Sequence, residues 1–397
     1  MNLSIGPTSA DDGLEVRVVD DLTDIDAAQW NRLLDEQSSP TPFMRHEYLL
    51  ALQASLSAVA RTGWGAAYLT ASQGSRLAAA LPLYLKGHSY GEYVFDWAWA
   101  DAYERHGLEY YPKLLAAVPF TPVPGSRMLA RDDSTRRALL RAAISVAREQ
   151  KLSSVHLLFM DDDERAAAEA EGWLIRGGVQ FHWENRADSP YASFEEFVAS
   201  LQREKRKKIG QERRRVSEAG VSFTVHEGDG IDRSLWSFFY RCYTLTYRAH
   251  GSTPYLTRDF FDRMASKMPG NWVMFVAHRR GTPIAASLVA VDPQRRAAFG
   301  RYWGAVEHVP LLHFEACYYQ PLQWCIEHGY QRFEGGAQGE HKMARGLLPV
   351  RTHSAHWLAH PRFADAVAEF LKREGAGIDA YVDELRERNP FKVDSSN

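Results

Sequence analysis

The chain has 397 residues, 45% apolar and 24% charged, with a net charge of −3; that balance is typical of a soluble globular protein, and the length suits two domains. It excludes a helical membrane protein, because the longest apolar stretch, Leu77 to Leu85, is interrupted by Pro82 and falls far short of about 20 residues. The cysteines Cys242, Cys317 and Cys325 form no zinc or disulfide pattern, and MNLSIGPTSADDGLEV lacks the features of a secretory leader, so a cytoplasmic, reducing setting is expected.

In chain order, Leu14–Val19 reads as a strand and Ile25–Leu34 as a helix. Trp64–Thr70 and Leu77–Leu85 read as a hairpin around Gln73-Gly74, Arg131–Gln150 as a helix and Ser153–Phe159 as a strand. The second half repeats the alternation. Val221–Val225 is a strand, Leu235–Arg248 and Arg258–Met268 are helices, and Trp272–Ala277 with Ile284–Val291 form a hairpin around Arg280-Gly281. Ala298–Trp303 continues the sheet, a helix opens at Pro310, and Arg332–Glu334 begins another strand. Pro321 falls inside that helix and is expected to kink it, freeing the carbonyl of Cys317. Backbone N–H groups at Leu311–His313 are expected to face a ligand. The pattern predicts an α/β architecture with mixed sheets.

The two hairpins can be laid over one another: WGAAYLTASQGSRLAAALPLYL from Trp64 and WVMFVAHRRGTPIAASLVAV from Trp272 share a leading Trp, a Gly turn and an Ala-Ala pair. That predicts duplicated domains, divided at residues 1–187 and 188–397. From Gly74 to Leu152 is 78 positions, but from Gly281 to Tyr330 only 49, so the first half carries roughly 29 extra residues. They fall between His88 and Gly125, in a segment crowded with aromatic and charged residues that reads as a long functional loop. A further landmark is REKRKKIGQERRR, Arg203 to Arg215: eight Lys/Arg against two Glu give +6, so the rest of the chain sums to −9.

The strings HSYGEYVFDW, YYPK, PFTP, GRYWG, LHFE-CYYQ and GAQGEHK-ARG resemble those of the FemAB-like predicted N-acyltransferases, from about Asn31 to Phe391. The resemblance implies two tandem GNAT-like domains packed around a cleft, and acyl or aminoacyl transfer to a primary amine of a peptidoglycan-related precursor. It implies no tightly bound cofactor or metal, and either aminoacyl-tRNA or acyl-CoA as co-substrate. GAVEHVPLLH has one glycine and carries Glu307, which suits a CoA pyrophosphate poorly. Aminoacyl-tRNA is therefore preferred, with Arg203, Lys205, Arg206, Lys207, Arg213 and Arg214 as its phosphate contacts.

Amine attack on an ester or thioester needs a base, an oxyanion partner and a proton for the leaving group. Glu340, His341, Lys342 and Arg345, with His313 and Glu315, are the candidates: Glu340 or His341 as base, Lys342 or Arg345 as the cation. The acceptor is expected against Lys86, His88, Tyr90, Glu92, Asp96, Trp97, Tyr110, Tyr111 and Lys113, and the substrate also against Arg301, Tyr302 and Trp303. A metal site at His353, His356 and His360 matches no standard spacing. A non-catalytic module on a degenerate transferase fold is the alternative from another class.

Overall fold

Helix starts follow the side-chain oxygens that the sequence supplies. Asp26, Asp132, Asp161, Ser193, Asp232 and Thr257 each accept an N–H of the first turn, satisfying donors that have no partner inside a helix. The computed structural model describes residues 8–9, 14–336 and 339–392; most of the opening MNLSIGPTSADDGLEV, and Ala337 and Gln338 of the GAQGEHK string, lie outside the described residues.

The chain forms two compact units, residues 1–178 with 351–380 and residues 179–350 with 381–397. The first runs through β1 (Thr8–Ser9), β2 (Glu15–Val19), α1 (Ala27–Asp35), α2 (His46–Ala54), β3 (Trp64–Ala66), β4 (Tyr68–Gln73), β5 (Arg76–Leu81) and β6 (Leu83–Lys86). It continues with α3 (Trp97–Arg105), β7 (Lys113–Ala116), β8 (Leu129–Ala130), α4 (Asp133–Glu149), β9 (Ser154–Met160) and α5 (Asp162–Ala170). The unit boundary falls within β10 (Leu174–Glu184). The second unit contains α6 (Phe194–Ser200), α7 (Arg203–Glu218), β11 (Val221–Glu227), α8 (Arg233–Ala249), α9 (Arg258–Lys267), β12 (Trp272–Arg279), β13 (Thr282–Asp292) and β14 (Ala297–Ala305). After α10 (Leu312–Phe314), α11 (Gln320–Glu327) and β15 (Arg332–Glu334), the chain returns through β16 (Leu348–Leu358) and α12 (Pro361–Glu387).

The division at 187/188 placed residues 351–380 in the second half, whereas they pack in the first unit: His356 of β16 pairs antiparallel with His156 of β9. The hairpin predicted from Trp64 is four strands in two sheets. β4 pairs with β5 and β3 with β6, the chain changing sheet at Ala67 and at Pro82, whose missing N–H cannot continue a ladder. Its turn is Gly74-Ser75, one residue later than expected, with only Gly74 at positive φ; the Arg280-Gly281 turn has both residues there. The segment 88–125 is also no continuous loop, since it contains α3 and β7.

Each unit contains a parallel strand pair. β7 runs parallel to β9 across the α4 connection, and β14 runs parallel to β15 across α10 and α11. Apolar side chains such as Leu81, Leu140 and Leu157 fill the first core, and Phe181, Phe275, Val289, Leu322 and Phe333 the second. Gly304 permits a close approach of α8: a Cβ there would meet the Cys242 carbonyl oxygen at 2.1 Å. Among the described residues, no helix is long and apolar enough to cross a membrane.

Candidate active site

The second unit's sheet opens where β14 and β15 part. Their parallel register runs from Ala297–Arg332 to Phe299–Glu334 and ends there, while β14 continues to Ala305. At the same level the pairing of β14 with β13 shifts by one residue, leaving Arg301 as the extra residue of a bulge. The gap is a pocket of about 150 Å³, lined by Ser287–Val289, Gly300–Trp303, His313, Cys317, Tyr318, Gly335 and Gly336. Gly335 lets this wall close up, since a Cβ there would lie 2.6 Å from Leu347 and 3.3 Å from Tyr318.

The helix over the pocket owes its shape to Pro321. Residues Glu315–Tyr319 form a π-helical turn between α10 and α11. In that i→i+5 register the missing N–H of Pro321 leaves the Ala316 carbonyl without its helical donor, in place of the Cys317 carbonyl expected from an α-helix. The buried Ser287 hydroxyl on β13 donates to it at 2.6 Å. The turn also puts Cys317 and Tyr318 on the pocket, two residues that helical phase alone does not select. Leu311 has φ +69°, and the Leu312 N–H donates to the Val309 carbonyl, so the start of α10 is not a row of free donors.

Of the predicted catalytic residues, His313 lines the pocket, its ring 5.6 Å from Trp303 and 5.8 Å from Tyr318. The residue as a whole is exposed, yet desolvation, followed by His341 and Arg345, lowers its pKa to about 4. His341 Nε2 lies 3.3 Å from the Tyr318 hydroxyl, and burial lowers its pKa too. Burial raises that of Tyr318, which therefore keeps its proton. Lys342 is buried with Nζ donating to the Gly336 carbonyl at 2.7 Å, and desolvation lowers its pKa to about 8.

The other three point elsewhere. Glu340 accepts from Tyr381 at 2.8 Å and pairs with Arg388 at 3.2 Å. Arg345 donates to Glu212 at 2.8 Å and to the His341 carbonyl at 2.6 Å, 3.6 Å above the Phe314 ring. Glu212 also accepts from Tyr319, so Arg345 holds a buried knot and does not line the pocket. Glu315 pairs with Arg213 at 3.1 Å and Gln320 at 2.7 Å, its pKa raised by burial. For Glu340 and Arg345 the physical reason is the short 3-10 helix Glu340–Arg345, whose tighter turn sends successive side chains in different directions from an α-helix.

The proposed acceptor residues divide into buried and exposed sets. Lys86, Glu92, Asp96, Tyr110 and Lys113 are buried and bonded to one another, so they do not face solvent as expected. Lys113 Nζ donates to Ser89 and Glu92 at 2.9 Å each and to Asp96. Burial opposes its charge, but the two carboxylates outweigh that and raise its pKa. Tyr110 donates to Asp96 at 2.5 Å; its oxygen lies 3.1 Å from His156 Nε2, whose Nδ1 lies 2.7 Å from His356 Nδ1. Desolvation lowers the pKa of His156 to about 3, leaving both rings neutral. Because ionised Asp96 can only accept, Tyr110 spends its proton there. His156 then carries hydrogen on Nε2, and His356 donates from Nδ1. His88 and Tyr111 are half-buried, while Tyr90 and Trp97 are exposed.

The basic run is helix α7. Ile209, Glu212 and Val216 form its buried face, and Arg213 packs over Phe194. Arg206 donates to the Leu201 carbonyl. Arg203, Lys207, Lys208, Arg214 and Arg215 face outward, and Lys205 is intermediate.

A pocket at a strand splay, beneath an irregular helix and beside a buried lysine, thus lies in a chain of two mixed α/β units. Residues 21–393 match the FemAB-like family, described as peptidoglycan biosynthesis/recognition. The chain belongs to that family. FemX is 10% identical, with 87% of this chain and 98% of its own covered at a TM-score of 0.53. The L-PGS structure from Bacillus licheniformis is 12% identical, covering 87% and 97% at 0.53. At such identities the likeness shows the fold. No curated protein matches the sequence.

Proposed function

We propose that the chain moves an acyl or aminoacyl group onto a primary amine of a peptidoglycan-related precursor, with the reacting carbonyl in the pocket between β14 and Gly335-Gly336. The pocket itself is the observation that carries this reading. The amine attacks the carbonyl carbon, the carbonyl oxygen becomes an oxyanion, and the C–O or C–S bond to the donor breaks. Lys342 supplies positive charge beside Gly336, and Tyr318, with His341 at its hydroxyl, donates a proton toward the leaving atom. His313, neutral at neutral pH, accepts the amine proton as a weak base. The second unit is thus the donor side and the first the acceptor side.

For the donor, the outward Lys/Arg face of α7 favours aminoacyl-tRNA. The Glu307 carboxylate, paired with Arg279, and the spent Leu312 N–H disfavour a CoA pyrophosphate. Single-turnover transfer with charged tRNA and with CoA thioesters, in Tyr318→Phe, His313→Ala and Lys342→Ala, tests both parts. Losses of about 100-fold in Lys342→Ala are expected. Unchanged transfer in all three removes the pocket from the mechanism, and turnover with the thioester alone reverses the donor assignment.

A further inference from the structure

We infer that Glu212, on the inner face of α7, is a positioning residue for transfer: through Arg345 and Tyr319 it holds the π turn and the 3-10 turn in the register that sets Tyr318 against His341. The inference rests on the pocket reading above and deepens it, because Glu212 does not line the pocket and acts only through other side chains. Glu212 is buried, and one of its oxygens accepts both from Arg345, at 2.8 Å, and from the Tyr319 hydroxyl. Arg345, buried too, directs its other terminal nitrogen to the His341 carbonyl at 2.6 Å and lies 3.6 Å over the Phe314 ring. One guanidinium thus ties α7 to the 3-10 turn at His341 and to Phe314 of α10.

Orientation, more than stability, is what such a knot supplies. Burying two charges removes their hydration, and their attraction roughly offsets that loss, so an apolar trio would hold these segments about as firmly. An apolar trio has no direction, however. A planar guanidinium with two bonds fixes the His341 backbone relative to α7, and the Tyr319 hydroxyl on the same oxygen fixes the neighbour of Tyr318. Tyr318 and His341 are the pair whose hydroxyl and Nε2 meet at 3.3 Å, with Phe314 5.6 Å from the His341 ring. They sit on a π turn and a 3-10 turn, neither of which has the regular i→i+4 ladder to set its side-chain directions. A displacement of about 1 Å between them breaks the hydrogen bond through which His341 aligns the Tyr318 proton.

The test uses the full chain in Arg345→Lys, which keeps the charge beside Glu212 but cannot reach both partners, and in Tyr319→Phe, which removes one hydroxyl and no charge. Single-turnover transfer is measured from alanyl-tRNA and from acetyl-CoA to a lysine-bearing peptidoglycan pentapeptide, with each variant alone and combined with Tyr318→Phe. The expected rate is about tenfold lower in Arg345→Lys and about threefold lower in Tyr319→Phe, with donor affinity unchanged and neither loss added in the Tyr318→Phe background. A second measurement needs no substrate: titration of the His341 ring by NMR. Desolvation, then Arg345, Lys342 and Lys208, hold its pKa below the ordinary histidine value, against Glu212. Arg345→Lys keeps all these charges, so a rise in that pKa reports a ring released to solvent, and a rise is expected. Losses that add to that of Tyr318→Phe, unchanged rates, or an unmoved His341 titration overturn the inference and assign the knot to stability alone. An unaltered rate in Tyr318→Phe removes the pocket reading and this inference together, whereas a large loss there with additive effects removes this inference alone. Absence of transfer from both donors counts against the proposed function, and the titration then decides the positioning of His341 by itself.

Discussion

Lys342 carries the sharpest residue-scale expectation. Its pKa falls from 10.5 to about 8 on folding because burial penalises the ammonium and no carboxylate compensates. Between about 8 and 10.5 the unfolded chain binds more protons at this residue, so stability should rise with pH there. Denaturant melts at pH 8 and 9.5 should show that gain in the native protein and a smaller one in Lys342→Met. If transfer uses this ammonium, as proposed, its rate should decline as pH rises through about 8; a rate that keeps rising would separate Lys342 from catalysis. Ser287 is the second case. Ser287→Ala leaves the Ala316 carbonyl without its 2.6 Å donor and should cost about 1–3 kcal/mol in urea unfolding. The GRYWG, LHFE-CYYQ and GEHK strings located the pocket's neighbourhood in the sequence. Which of their side chains face it depended on the π turn and the 3-10 turn, whose register is set by Pro321 and by tertiary packing.

At the scale of elements, α7 has two faces with separate duties. Glu212 and Arg213 anchor it, while Lys207 and Arg214 face outward. Lys207→Ala and Arg214→Ala should each weaken polyanion binding and reduce the slope of log K against log salt by about 1, with native thermal stability. An unchanged slope would assign the outward face to solubility alone. The 87–96 segment is organised from within by two buried ammonium groups, Lys86 and Lys113. Lys113→Met leaves Asp96 without an ammonium and Glu92 with only Lys86, at 3.9 Å, at a cost of about 3–5 kcal/mol in chemical unfolding. Glu92, which burial raises to a pKa of about 7, should lessen that cost by protonating below neutrality. A variant as stable as the native chain would show that the array contributes little. Charge content predicted an active surface in this segment, but a lysine four residues from an aromatic reads the same in sequence whether it points out or in.

For the whole molecule, the return of the chain matters most. β16 pairs with β9 within the first unit, and residues 381–397 belong to the second. A polypeptide of residues 1–187 lacks β16 and leaves the edge of β9 unpaired, with His156 deprived of His356. It should be poorly soluble and show weak near-ultraviolet circular dichroism, whereas adding residues 351–380 through a linker should restore order. A well-folded 1–187 fragment would contradict the assignment of 351–380 to this unit.

The sequence by itself determined the family, the mixed α/β class, most helix and strand positions and the basic helix, because capping oxygens, apolar periodicity and charge runs act locally. It also marked both aromatic-rich regions as chemically unusual. Tertiary structure alone decided which unit takes residues 351–380, which of Glu340, His341, Lys342 and Arg345 bond to residues that line the pocket, and which lysines are neutralised by buried carboxylates. Those outcomes depend on pairing between residues as many as 200 positions apart, as in His156 with His356, and no local pattern encodes the partner that competes for a given side chain.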